Sequence, residues 1–277
     1  VEQVNRTRLH QDAPGRYQLL CGVSCFFLCL FLWLLPHSGI HADFLRSQPD
    51  NSFQLFAFAK AASPAVFSVN SVNDDVDVNI GDGICATSQG VCTLRGAIQE
   101  ANASFEEASI LLPAGTYRLT IPGQAEDKSV SGDLDITSPL SIQGSGASVT
   151  IIEGGGLDRV IDIGENAHAG TPVTLAHLTI RDGTDNGDNA PAGIRIRSYK
   201  VTLEEVIVSD NLGEGIGIDK GALILKNSVV KNNTSVGVGG IRATSSSLLI
   251  SESTVRDNSG AWGGIASDTW LNMVHST

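Results

Sequence analysis

From Leu175 onward one nine-residue pattern keeps returning: LAHLTIRDG from Leu175, LEEVIVSDN from Leu203, LKNSVVKNN from Leu225, ISESTVRDN from Ile250, and a cut-off MVHST from Met273. Successive anchors lie 28, 22, 25 and 23 residues apart. Each full unit is followed by a Gly-rich turn and a second short apolar step, at Ala192-Gly193-Ile194, Gly215-Ile216, Gly240-Ile241 and Gly264-Ile265. Units this short, holding two or three tiny strands, cannot bury an apolar side alone, but stacked neighbours can. Stacking at about 4.8 Å per coil pairs the backbones in parallel and places Leu175, Leu203, Leu225, Ile250 and Met273 in one internal column. The same register aligns Gly183, Asn211, Asn233 and Asn258 at the following turn. Gly and Asn tolerate left-handed backbone, and stacked amides can hydrogen-bond from coil to coil. The pattern therefore predicts an all-β solenoid, a single-stranded parallel β-helix.

Composition agrees. Gly numbers 30 while aromatics make up only 5%, which suits thin strands and tight turns better than a core of large rings. The formal net charge of -12 opposes nucleic-acid binding and speaks mildly against a polyanionic substrate, unless a bound cation or a local basic strip reverses the field.

Leu19 to Leu35 is a run of 17 residues without charge, preceded by Arg6, Arg8 and Arg16 and followed by Pro36. It reads as an export signal within residues 1–42, or as an uncleaved N-terminal anchor, the one segment through which the chain would touch a membrane. Residues 43–64 form a spacer. The expected location is extracellular or at the outer cell surface. Cys21, Cys25 and Cys29 fall inside the apolar run, which leaves Cys85 and Cys92; in an exported chain such a pair reads as a local disulfide before a metal site.

The mature fold is expected to start near residue 65 with Val66–Val72, alternating apolar and polar as a half-buried strand does. A loop rich in Asp, Asn and Gly follows, and then TLRGAIQEANA from Thr93, whose Leu94, Ala97, Ile98 and Ala101 fall at i, i+3, i+4 and i+7. This is an amphipathic helix with Thr93 as N-cap. A cap over residues 65–109 would then cover the open N-terminal end of a β-helix over 110–277. The insertion Gly123–Ser131 is expected to protrude, and the interrupted MVHST predicts that the natural chain continues past Thr277.

Cys92-Thr93-Leu94-Arg95-Gly96-Ala97, preceded by FSVNSVNDDVDVNIGDGIC and followed by IQEANA, resembles the CSLREA domain of bacterial exported proteins. LPAGTY, GDLDIT, TIIEGGG and the repeated strand with its Asp-Asn turn extend the resemblance over about residues 65–277. Thr93 stands where the family has Ser, and Gly96 where it has Glu. The resemblance implies a right-handed parallel β-helix with the architecture of pectate lyases and adhesin passengers, and it transfers no catalytic residues.

Several groups are candidates for chemistry. Asp75, Asp77, Asn79 and Asp82 place oxygens at alternate positions, as Ca²⁺ ligation requires, although Ile80 and Ala86 break the EF-hand pattern; a turn network of Asp and Asn is the other reading. Arg195, Arg197 and Lys200 form a small basic strip, but no paired carboxylates for glycoside hydrolysis can be assigned by motif. Asp210 with Arg181 or Arg197 could supply the acid and base of a lyase. Asp182, Asp210 and Asp257 recur with the coils and read as turn residues. His168, His177 and His275 have no nucleophile beside them in sequence, and Asn102, Asn232 and Asn233 sit in Asn-linked glycosylation patterns. The expected function is a noncatalytic structural, adhesion or binding scaffold whose partner is an extracellular glycan or cell-surface component. The alternative is a polysaccharide lyase or glycoside hydrolase on the same fold.

Overall fold

The computed structural model describes residues 64–104, 106–124, 126–164, 172–185, 190–197 and 199–277. The apolar segment with its three cysteines, the spacer as far as residue 63, and His168 lie outside the described residues. Within them are twenty strands, β1 to β20 in chain order, and a helix, α1 (Leu94–Ser104). The strands form three sheets, and every pairing is parallel. The molecule is a right-handed parallel β-helix.

One coil shows how the chain winds. β11 (Lys200–Glu204), β12 (Ile207–Ser209) and β13 (Glu214–Asp219) each belong to a different sheet, and β14 (Ala222–Lys226) returns to the first. The anchors pair in register: Leu175 with Leu203, Leu203 with Leu225, Leu225 with Ile250, and Ile250 with Met273. The first four are fully buried, each contributing about 2 kcal/mol of apolar burial. Met273 keeps the register but is 39% exposed, having a coil on one side only. Trp262, Trp270, Leu271 and Val274 share that uncovered last layer.

Corners are turned by single residues in the left-handed region. After the first sheet these are His177, Glu205, Asn227, Glu252 and His275; after the next they are Asp182, Asp210, Asn232 and Asp257, with φ between 47° and 61°. Asp182, Asp210 and Asp257 are thus turn residues, as expected. The aligned Asn211, Asn233 and Asn258 follow the left-handed position instead of occupying it. Their amides turn inward and stack: Asn211 Nδ2 donates to Asn233 Oδ1 at 2.8 Å, and Asn233 Nδ2 to Asn258 Oδ1 at 2.9 Å. The position selects Asn for its paired donor and acceptor rather than for its backbone freedom.

The amphipathic helix forms as the sequence predicts. Thr93 Oγ1 accepts from the Gly96 N–H at 3.1 Å, the N-cap bond, and α1 buries Leu94, Ala97, Ile98 and Ala101 against the first coil. Cys85 and Cys92 are joined in a disulfide. Glu100 accepts from the N–H groups of Gly81 and Gly83 at 2.6 and 2.8 Å, tying the loop to the helix. Among the described residues no helix is long and apolar enough to cross a membrane.

Candidate functional site

The chemistry concentrates on the outer face of the six-stranded sheet, ordered β19-β16-β13-β10-β7-β4. Its strands are β4 (Leu134–Ile136), β7 (Ile161–Ile163), β10 (Pro191–Arg197), β13, β16 (Ile241–Thr244) and β19 (Ile265–Ser267). Aliphatic residues face the core at alternate positions. The residue between them faces outward, so Asp135, Asp162, Arg195, Gly217 and Arg242 form one column across five coils.

Asp162 is the hub. Its Oδ2 accepts from Arg195, whose Nε lies at 2.9 Å, and from Arg197 Nη2 at 3.0 Å, with Arg159 Nε at 3.5 Å. Arg159 Nε also reaches Asp133 Oδ2 at 2.5 Å. Two coils on, Arg242 Nε lies 2.7 Å from Glu214 Oε1, and its Nη1 donates to Asp219 Oδ1 at 3.1 Å. Gly217 keeps that pair possible: a Cβ there would stand 2.8 Å from Glu214 Oε2.

Three carboxylates at the N-terminal end of this column are drawn together. One oxygen from each of Asp133, Asp135 and Asp162 lies within 4.8 Å of the other two. All three residues are only 2% exposed. Burial, reinforced by the neighbouring carboxylates, pushes Asp133 up to about 7 and Asp135 up to about 8, against the pull of the Arg159 guanidinium on Asp133 and the Ser129 N–H on Asp135. Burial also raises Glu214, although Arg242 opposes it.

The insertion exposes Gln124, Asp127, Lys128 and Val130, and it also folds one residue back over this end. Ser129 is fully buried; its N–H donates to Asp135 Oδ2 at 2.8 Å, and its hydroxyl bonds the Asp135 backbone. Glu126 holds the loop in shape by accepting from the Lys128 and Ser131 N–H groups. Arg95, from the hexapeptide, underpins it. Its fully buried guanidinium donates to both oxygens of Asp74 and to the carbonyls of Ser129, Gly132 and Asp133. A fold-back secured by backbone carbonyls leaves no compositional trace, which is why the burial of Ser129 was not anticipated.

Other candidates are dispersed. Asp77 accepts from the N–H groups of Asn79 and Ala86, and Asp82 from that of Ile84; Asp75 meets Thr93 Oγ1 through its backbone carbonyl. These oxygens serve the turn network. Arg181 pairs with Glu153, and Asp210 accepts from Asn232, so neither Arg181 nor Arg197 has Asp210 as its partner. His177 Nδ1 lies 3.1 Å from Glu205 at an exposed corner, and His275 is exposed. Asn102 spends its amide on Asp135 O and the Thr137 N–H, and Asn233 lies inside the amide stack, whereas Asn232 is exposed.

Of the strip, sequence reading found Arg195 and Arg197 and missed Asp133, Asp135, Arg159, Asp162, Glu214 and Arg242. A signal existed: LDI, IDI, IRI, IGI and IRA occur at the same place in successive coils, each placing one outward residue between two inward ones. Beside the strip, an open depression of about 610 Å³ is lined by Pro122, Gly123, Gln124, Gly156 and Leu157, none of them titratable.

Fold and strip define a parallel β-helix with a charged lateral face. Comparison with known protein families, curated proteins and solved structures gave no match.

Proposed function

We propose that the chain is an exported, noncatalytic β-helix of the CSLREA type that binds an extracellular glycan or cell-surface component along the face carrying Arg195, Arg197 and Arg242. The carrying observation is how exposure divides on that face. Asp133, Asp135, Asp162 and Glu214 are buried, whereas the Arg195, Arg197 and Arg242 side chains keep 20%, 25% and 27% of their surface. General acid–base catalysis requires a carboxyl within hydrogen-bond reach of the substrate. Guanidinium edges, by contrast, can bind the hydroxyls and carboxylates of a sugar chain lying along the solenoid. The disulfide and the uncharged N-terminal run support export.

The second reading, a polysaccharide lyase or hydrolase, is favoured by the convergence of Asp133, Asp135 and Asp162 with Arg195 and Arg197 from adjacent coils. One experiment separates the two. The purified chain is applied to a glycan array and incubated with polyuronates, with reducing ends and unsaturated products followed over time. Binding without scission is expected, and the Arg195→Ala, Arg242→Ala double variant should weaken it about tenfold, or 1.4 kcal/mol. Chain scission would replace the first reading with the second.

A further inference from the structure

We propose that Asp133, Asp135 and Asp162 hold one divalent cation of the hard, oxygen-seeking kind, with Ca²⁺ as the ion of choice. The claim is independent of whether the outer face binds a glycan.

Convergence is the first observation. Three carboxylates from two neighbouring coils bring one oxygen each within 4.8 Å of the others. Oxygens this close to one another can all reach one Ca²⁺ ion, whose Ca–O bonds run to about 2.4 Å. No thiol or imidazole belongs to the group, so its donors are those that Ca²⁺ and Mg²⁺ prefer to softer metals.

The second observation is independent of the first. Asp135 Oδ1 and Asp162 Oδ1 are buried and have no hydrogen-bond partner among the described residues. Buried carboxylate oxygens are ordinarily engaged by donors, cations or water, because leaving one bare forfeits its hydration for nothing. Here one such oxygen remains on each of two acids from adjacent coils, both members of the converging group.

Charge separates the possible occupants. Asp133, Asp158 and Asp162 each lie within 4.0 Å of Arg159, and Arg195 and Arg197 add to Asp162. Asp135 has no guanidinium among the described residues; its other oxygen receives only the Ser129 N–H. Asp135 is thus the member of the cluster whose charge no guanidinium among the described residues answers. A proton could neutralise that charge, but a hydrogen bond joins two oxygens, whereas the geometry gathers three. A cation serves all three and ties β4 to β7 beneath the Ser129 roof.

The test uses the full chain stripped with EDTA, with ⁴⁵Ca²⁺ equilibrium dialysis and thermal unfolding as two readouts. About one Ca²⁺ per chain is expected, with a midpoint that rises with Ca²⁺ concentration as ligand linkage requires. Asp135→Asn, which keeps the side-chain shape and breaks no ion pair, should lower Ca²⁺ affinity at least about tenfold. Asp82→Asn, in the Asp-rich loop, should leave it unchanged. Intact disulfide and native far-UV circular dichroism establish that each variant is folded; if Asp135→Asn does not fold, Asp162→Asn takes its place. Absence of binding by the unsubstituted chain up to about 5 mM Ca²⁺ overturns the proposal. So does binding that survives in folded Asp135→Asn and disappears in Asp82→Asn, which would assign the ion to the loop.

Discussion

Between Asn211 and Asn258 three amides stacked one coil apart use each other as donor and acceptor, and spare donors go to the Val208 and Val230 carbonyls. Between Asp133 and Arg197 the same solenoid buries ionisable groups: guanidinium groups crowd onto one oxygen of Asp162 while its other oxygen, and one of Asp135, have none. The amide stack is neutral, repeats with the coil, and answers each group with a copy of itself. The carboxylate cluster breaks the repeat, depends on Ser129 and Arg95 from outside the coils, and raises two of its own pKa values. A solenoid can solve polar burial cheaply by repetition. Where it does not, the irregular solution is what a ligand can exploit.

The largest effect should come from breaking the neutral stack at its centre. Asn233→Ala removes bonds to Asn211 and Asn258 and the donation to Val208 O, and leaves the buried Asn211 Nδ2 without its acceptor. A loss of about 3–4 kcal/mol is expected in denaturant unfolding. At the partly buried end of the stack, Asn258→Ala should lose about 1–2 kcal/mol. Equal losses would mean that the amides act singly and not as a stack.

How far each region could be read from sequence follows from the same contrast. The column Leu175, Leu203, Leu225, Ile250 was legible because an inward position in a repeat accepts only apolar residues, and repetition multiplies the signal. The Cys85–Cys92 bridge and the Thr93 cap were legible because both are local. Serine relays were not: Ser228 Oγ accepts from the Val206 N–H and Ser253 Oγ from the Ser228 N–H, yet serine is too common in turns to stand out. The carboxylate cluster was hidden for a different reason. Asp135 and Asp162 are 27 residues apart in the irregular coils, outside the repeats that set the alignment. Burial of an outward-facing residue also depends on a fold-back that no periodicity announces.

The second prediction sharpens the contrast through pH. Asp133 and Asp135 have folded values of about 7 and 8 against an ordinary value of 3.8. Between about pH 4 and pH 8 the folded chain therefore holds protons that the unfolded chain has released. Their contribution to stability is complete below the unfolded value and is lost as pH rises through the folded values. In EDTA, stability should fall across that window, at up to about 1.4 kcal/mol per pH unit for each group. Asp135→Asn should flatten the slope and stabilise the chain at pH 8 by about 2 kcal/mol. The amide stack has no titratable member, so Asn233→Ala should shift the whole stability profile without changing its slope. A variant at Asp135 that leaves the slope unchanged would remove the buried carboxylate from the explanation.

The smallest effect concerns charges that the coils leave in water. Arg256 and Asp257 adjoin at a corner, with side chains 53% and 59% exposed, so solvent screens their attraction and side-chain entropy opposes holding it. Arg256→Ala should change stability by no more than about 0.5 kcal/mol, and added salt should reduce even that. Arg159, by contrast, sits with only 10% of its side chain exposed against Asp133 and Asp162, and its removal would strand buried charge. The comparison therefore turns on burial and not on the presence of an ion pair. Should Arg256→Ala prove as damaging as Arg159→Ala in urea unfolding at fixed salt, the charged strip would lose its claim to be different from any other pair on the solenoid surface.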